Sequence, residues 1–210
     1  PRRSVPYRTH DRGASWSAVG LPPGTRVIAD PVDPARFYAM DLFGGRLFVS
    51  DDGGATFEAR PLELPGGPPE PPVERGARGD ARGGQDRLYA TPGRTGELWL
   101  PAFDGLYRTE DAGSPFRRVP GATEIHAFGF GRRAPAADHP ALFLVGVVDG
   151  VRGIFRSDDA GGTWVRINDD AHQWGLILQV TGDPDRYGRV YVGTHGRGVL
   201  VGDPAPVPGT

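Results

Sequence analysis

Short apolar runs separated by turn-forming residues dominate the pattern along this chain. Phe37-Tyr38-Ala39-Met40, Arg46-Leu47-Phe48-Val49, Glu97-Leu98-Trp99-Leu100, Leu142 to Val148, Gly153-Ile154-Phe155-Arg156 and Arg189-Val190-Tyr191-Val192 each read as a β-strand, with glycine, proline or aspartate clusters between them. No segment carries an i, i+3, i+4 apolar stripe, so no helix is predicted. Many short strands at regular spacing predict an all-β sandwich, barrel or propeller.

A repeat decides among these. Four segments share the order hydroxyl, any, Asp, any, Gly, any, hydroxyl, aromatic: Thr9 to Trp16, Ser50 to Phe57, Thr109 to Phe116 and Ser157 to Trp164, with Pro115 replacing the second hydroxyl in the third. They lie roughly 40 to 60 residues apart, and one propeller blade takes roughly 40 to 50. The longest interval holds Pro61 to Asp86, where proline, glycine and charge crowd out apolar residues, which predicts an inserted loop. The expected fold is therefore a β-propeller of about three to four blades, one partial domain over 1–210 with an insertion at 61–86. Within each repeat the aspartate can accept backbone N–H bonds, the glycine can adopt positive φ and the aromatic can pack inward. Asp11, Asp52, Asp111 and Asp159 thus read as structural, since an acid catalyst does not need four copies.

Composition changes this picture little. Glycine (33) and proline (22) suit turns, while 10% aromatics argue against a disordered chain. A formal net charge of −2, with every basic residue an arginine and no basic block, argues against nucleic-acid or membrane partners. With no cysteine there is no disulfide framework or thiolate chemistry. No apolar run approaches the roughly 20 residues of a membrane helix. The start at Pro1-Arg2-Arg3-Ser4 reads as that of a fragment without a signal peptide.

The repeat resembles the Asp-box, or BNR, turn of sialidases, sortilin-type receptors, photosystem assembly factors and several glycoside hydrolases. In antiparallel blades, connections alternate between the two ends, and the boxes precede the last strand of each blade. The resemblance implies a ligand cleft on the opposite face. That face receives Val19 to Arg26, the 61–86 loop, Gly121 to His126, Asn168 to Gly175 and the turns near Phe43, Asp104, Asp149 and His195. The candidate binding residues are His172, Gln173, Trp174, Asp104 and His195. Trp174 can stack on a sugar ring beside polar groups, or it can pack between blades with His172 in solvent. Asp104, Asp149, Asp169 and Asp170 are the carboxylates that a hydrolytic pair could draw on, but adjacent Asp169 and Asp170 fit turn caps better. The five histidines are scattered without metal-ligand spacing, so no metal and no cofactor is expected.

A more specific resemblance lies toward the C-terminus. Gly153 to Gly161, Thr163 to Asp170, His172-Gln173 and Gly182 to Gly198 are similar to the end of the xyloglucan-degrading two-propeller hydrolases, glycoside hydrolase family 74. The resemblance implies two seven-bladed propellers facing across a cleft, inverting cleavage of β-1,4-glucan and two catalytic aspartates. Both aspartates are expected in parts that precede this segment, so no catalytic residue is assigned here. The chain is expected to supply later blades and part of the cleft wall of an extracellular or periplasmic enzyme. Its partners would be β-glucan or xyloglucan and the remaining propeller of the parent. A non-catalytic propeller that binds a glycan or protein, and a sialidase-like hydrolase, remain alternative readings of the boxes.

Overall fold

The computed structural model describes residues 4–73, 78, 85–112 and 115–205. Among the described residues, strands β1 (Tyr7–Arg8) and β2 (Ser17–Ala18) form a two-stranded sheet. The first four-stranded sheet holds β3 (Val27–Ala29), β4 (Phe37–Asp41), β5 (Arg46–Ser50) and β6 (Glu58–Pro61). The second holds β7 (Tyr89–Ala90), β8 (Leu98–Ala102), β9 (Gly105–Thr109) and β10 (Arg117–Val119). The third holds β11 (Ala122–Gly131), β12 (Ala141–Val148), β13 (Val151–Ser157) and β14 (Val165–Arg166), and a three-stranded sheet follows with β15 (Ile177–Gly182), β16 (Val190–Thr194) and β17 (Val199–Gly202). Within each sheet, strands lie in chain order, so every connection is a turn between neighbours. The repeat turns fall before β2, β6, β10 and β14.

The chain divides into two compact units. Unit 1 comprises Pro1–Pro71, Arg87–Leu100 and Tyr107–Arg118, and unit 2 comprises Pro72–Asp86, Pro101–Leu106 and Val119–Thr210. In unit 1, Val19, Leu21, Ala39 and Phe48 form a buried cluster against which Val27 and Phe57 pack. The buried Asp30 carboxylate collects the Tyr38 hydroxyl at 2.7 Å and the Gly96 amide at 2.9 Å. Burial raises its pKa, but these and other donors outweigh that effect and the net shift is downward.

In unit 2, Ala127, Ala141, Phe143, Ile154, Ile177, Val180, Val190 and Val192 form one core between β11–β13 and β15–β16. Alternation supplies Ala141 and Phe143 from β12 and Val190 and Val192 from β16, since successive side chains point to opposite faces. Glycine makes the close approach possible. A methyl group on Gly182 would lie 2.5 Å from the Gly131 Cα and 2.5 Å from a Phe143 ring carbon.

Two expectations change. Gly121 to His126 is not a loop: β11 starts at Ala122, and its register slips between Thr123 and Ala127 around Glu124, whose φ is 46°. Trp16 does not pack inward, but is 60% exposed and folds back so that its indole N–H donates to the Gly13 carbonyl at 3.2 Å. The segment expected as an insertion begins ordered, with Leu62 and Leu64 buried and the Leu62 amide bonded to Gly45 at 2.9 Å. Most of its latter half, 74–77 and 79–84, lies outside the described residues.

Candidate functional site

The repeat turns use up the hydrogen-bonding capacity of their own aspartates. Asp159 accepts the Thr163 amide at 2.8 Å, the Thr163 hydroxyl at 2.7 Å and the Ser157 hydroxyl at 2.8 Å, while the Gly161 amide donates to Ser157. Asp52 repeats this set with Thr56 and Ser50, and Asp11 with Ser15 and Thr9. The Ser15 hydroxyl and amide and the Thr9 hydroxyl hold Asp11 at about 2. Asp111 receives the Thr109 hydroxyl at 2.9 Å, but Pro115 lacks the amide and hydroxyl that its counterparts donate. Carboxylates held ionised in this way are poor general acids.

The other end of the unit 2 sheets carries a different chemistry. Segment 168–176 joins β14 to β15 and is anchored by Asn168, whose Oδ1 accepts the Ile154 amide at 2.7 Å. A Cβ at Gly153 would meet Asn168 Oδ1 at 2.9 Å and Arg166 Nε at 2.8 Å, so glycine there admits the anchor. The Asn168 amide group donates to the carbonyls of Asp169 and His172, at 3.2 and 2.8 Å. Asp169 accepts the His172 amide at 2.9 Å, and its Oδ1 lies 2.5 Å from His172 Nδ1. The segment is thus a closed polar turn.

Its three candidate residues end in different places. His172 is exposed, and its ring lies 5.7 Å from that of Trp174 at a 45° tilt. Trp174 is half-buried against the unit 2 core, with φ at 50°, a conformation unusual for a bulky residue. Gln173 donates to the Asp169 carbonyl at 3.3 Å and lines a recess. His195 lies exposed in the β16–β17 turn, and its amide donates to the Leu176 carbonyl at 2.9 Å, joining that turn to the end of the segment. Asp104 sits apart from this group, in the β8–β9 turn, paired with Arg78 at 3.0 Å while Arg78 also grips Asp86 through two contacts of 2.9 and 3.1 Å.

The recess has a volume of about 220 Å3, with Val145, Ile154, Leu176 and Ile177 as apolar lining and His126, Arg152 and Gln173 as polar lining. Arg152, just past the β12–β13 turn, reaches Glu124 Oε2 at 2.5 Å and His126 Nε2 at 3.2 Å. An arginine can only donate, so Nε2 is the acceptor and the His126 proton sits on Nδ1. Burial lowers the His126 pKa, and the Arg152 charge lowers it further, against the opposing effect of Glu124. Phe103, the neighbour of Asp104, meets the His126 ring edge-on at 6.2 Å. Glu124 and His126 lie in the Gly121 to His126 segment expected on this face, but neither they nor Arg152 were named as binding candidates. Separations of 26 and 28 positions bear no local spacing signal, and the register slip in β11 that aims them is not visible in composition.

Three of the four carboxylates weighed for this end, Asp104, Asp169 and Asp170, are engaged in pairs. Asp170 bonds Arg166 at 2.6 Å, and the His172 hydrogen bond holds Asp169 below its ordinary value. Among the described residues, every carboxylate whose pKa departs clearly from its ordinary value moves down, against the requirement for a general acid. No group of three His, Cys, Asp or Glu among the described residues is arranged to hold a metal ion, and no helix there is long and apolar enough to cross a membrane.

Comparison with known proteins now gives the arrangement a class. The chain is all-β and has the fold of part of a β-propeller: a GH74 enzyme of Niastella koreensis matches with a TM-score of 0.81 at 35% identity, over 95% of this chain and 28% of that one. Within that class it resembles the xyloglucanases of glycoside hydrolase family 74. It is 41% identical over 199 residues to a xyloglucanase of Paenibacillus sp, over 91% of this chain and 18% of that protein. The GH74 xyloglucanase of Xanthomonas campestris matches with a TM-score of 0.79 at 39% identity, over 98% of this chain and 27% of that one. The chain thus spans less than a third of the length of these relatives. No protein-family model matches it.

Proposed function

We propose that this chain is a substrate-binding segment of a xyloglucan-degrading glycoside hydrolase that acts outside the cell, and that the catalytic acids lie in other parts of that enzyme. The observation that carries this reading is the 41% identity to a xyloglucanase across 91% of the chain. The side chains support the division of labour. At the loop end of unit 2, Asp169, Asp170 and Asp104 are tied to arginine or histidine, whereas Gln173 and Arg152 line a recess with donors and acceptors suited to sugar hydroxyls, and His172 and His195 are exposed. Within unit 2 the Asp159 turn occupies the opposite strand ends, and the repeat turns serve as fold elements.

Electrophoresis of the chain through gels with and without tamarind xyloglucan, paired with a reducing-end assay, tests this. Retardation by xyloglucan without release of reducing ends is expected. Unchanged mobility, or turnover that an Asp104, Asp149 or Asp170 substitution abolishes, contradicts it.

A further inference from the structure

Sheet β15–β17 repeats a feature of the first four-stranded sheet, with one partner fewer. Asp30 and Asp183 each precede a proline in the turn between the first and second strands of their sheets. Each accepts the hydroxyl of a tyrosine in that second strand, Tyr38 and Tyr191, at 2.7 Å through Oδ2. In each turn Oδ1 takes two backbone amides, those of Val32 and Asp33 at 2.9 and 2.8 Å and those of Asp185 and Arg186 at 2.8 and 2.9 Å. Asp30 Oδ2 then receives a further N–H, at 2.9 Å, from Gly96 in the β7–β8 turn of the following sheet. Asp183 Oδ2 has the same second acceptor position, and among the described residues no hydrogen bond fills it.

The sheet faces beside these aspartates differ in the same sense. Val190, Val192 and Leu200 point into the unit 2 core, so the alternating Tyr191, Val199 and Val201 point to the other side of the sheet. Tyr191 opposes Val201 across β16–β17 as Tyr38 opposes Val49 across β4–β5. Tyr38 and Val49 are buried, whereas Val201 is 57% and Val199 68% exposed. In the sheet before β15–β17, Phe143 and Ile154 are likewise buried, in the core that β15 and β16 complete. Where a neighbouring sheet is present, this kind of face is covered; on β15–β17 it is open and apolar.

We propose that a further antiparallel sheet of the same protein covers the face of Tyr191, Val199 and Val201, and that Asp183 Oδ2 accepts a main-chain N–H from a turn of that sheet. The chain spans less than a third of the length of its relatives, which leaves more than enough chain to form one. A carboxylate makes the docking contact charge-assisted, stronger than a bond between neutral groups, and fixes where the incoming turn sits against β16. The inference rests on the reading of the chain as a segment of a larger enzyme and not on glucan binding.

Thiol labelling tests it, because the chain has no cysteine of its own. Val201→Cys is introduced into the chain and into the full-length enzyme, and iodoacetamide incorporation is followed peptide by peptide by mass spectrometry. Labelling is expected to be at least about tenfold slower in the full-length enzyme, where the cover must open first. Val165→Cys, exposed on β14 in a sheet that already has its neighbour, should react alike in both. Asp183→Asn isolates the docking contact. Its carbonyl keeps the Asp185 and Arg186 amides, its NH2 replaces Oδ2 and donates to the Tyr191 hydroxyl, and no acceptor remains for an incoming N–H. It should quicken Val201→Cys labelling about tenfold in the full-length enzyme and leave it unchanged in the chain alone. Equal Val201→Cys labelling in chain and full-length enzyme overturns the docking without touching glucan binding. Protection that Asp183→Asn does not weaken overturns the role of Asp183. Protection already present in the chain alone and lost on dilution places a second copy on this face, and overturns the inference as well.

Discussion

Asn168 holds the Ile154 amide through Oδ1 at 2.7 Å and two carbonyls of its own turn through Nδ2, so one side chain couples segment 168–176 to strand β13. Asn168→Ala leaves a largely buried N–H without its partner and is expected to cost about 1–3 kcal/mol in urea unfolding. Asn168→Asp keeps the acceptor and loses the donors, so it should fall between. Equal stability of all three proteins would mean that the turn holds itself.

Packing between β11 and β15 depends on the absence of side chains. Gly182→Ala places a methyl group 2.5 Å from both the Gly131 Cα and the Phe143 ring, and is expected to destabilise by about 1–3 kcal/mol. Gly20→Ala is the control, since a Cβ there meets nothing within 4 Å and its φ is not positive. Denaturation midpoints should separate the two clearly.

Acid should unfold the repeat turns late. The folded pKa of Asp11, about 2, lies below an unfolded value near 4, so its contribution is full above the unfolded value and is lost as pH falls through the folded one. Carboxyl carbon NMR of Asp11 is expected to titrate near 2 in the folded chain. Titration near 4 would show that the Ser15 and Thr9 bonds do not persist in solution.

His126 has the opposite chemistry and the same direction with pH. Burial and Arg152 disfavour the imidazolium, so the folded chain takes up this proton less readily than the unfolded chain. Stability from the neutral ring is full above about 6.5 and declines as pH falls below it. Imidazole proton shifts should place the His126 midpoint below the ordinary histidine value of about 6.5, and His126→Gln should flatten stability between about pH 7 and 5. A midpoint above 6.5 would mean that Glu124 outweighs burial and Arg152.

Several strands that bury a face were legible in the sequence, although β11 and β15 were not among the apolar runs. β4, β5, β12 and β16 begin and end within about two residues of their apolar runs, the usual uncertainty of a strand boundary. β13 begins at Val151, two residues ahead of its run, because Asp149 and Gly150 have φ of 48° and 79° and close a two-residue hairpin. The two-residue strands β1, β2, β7 and β14 carry no periodicity and exist through pairing alone. At the site, Gln173 was found because the polar run around it is local in sequence. His126, Glu124 and Arg152 were not, since their meeting depends on a register slip in one strand and a turn in another.

The most direct test of the binding role is a chemical-shift map of the chain titrated with xyloglucan heptasaccharide. The account predicts saturable shifts in Arg152 to Ile154, His172 to Ile177 and His195, with those of Asp11, Asp52 and Asp159 unmoved. Shifts centred on the repeat turns, or none at saturating ligand, would contradict it.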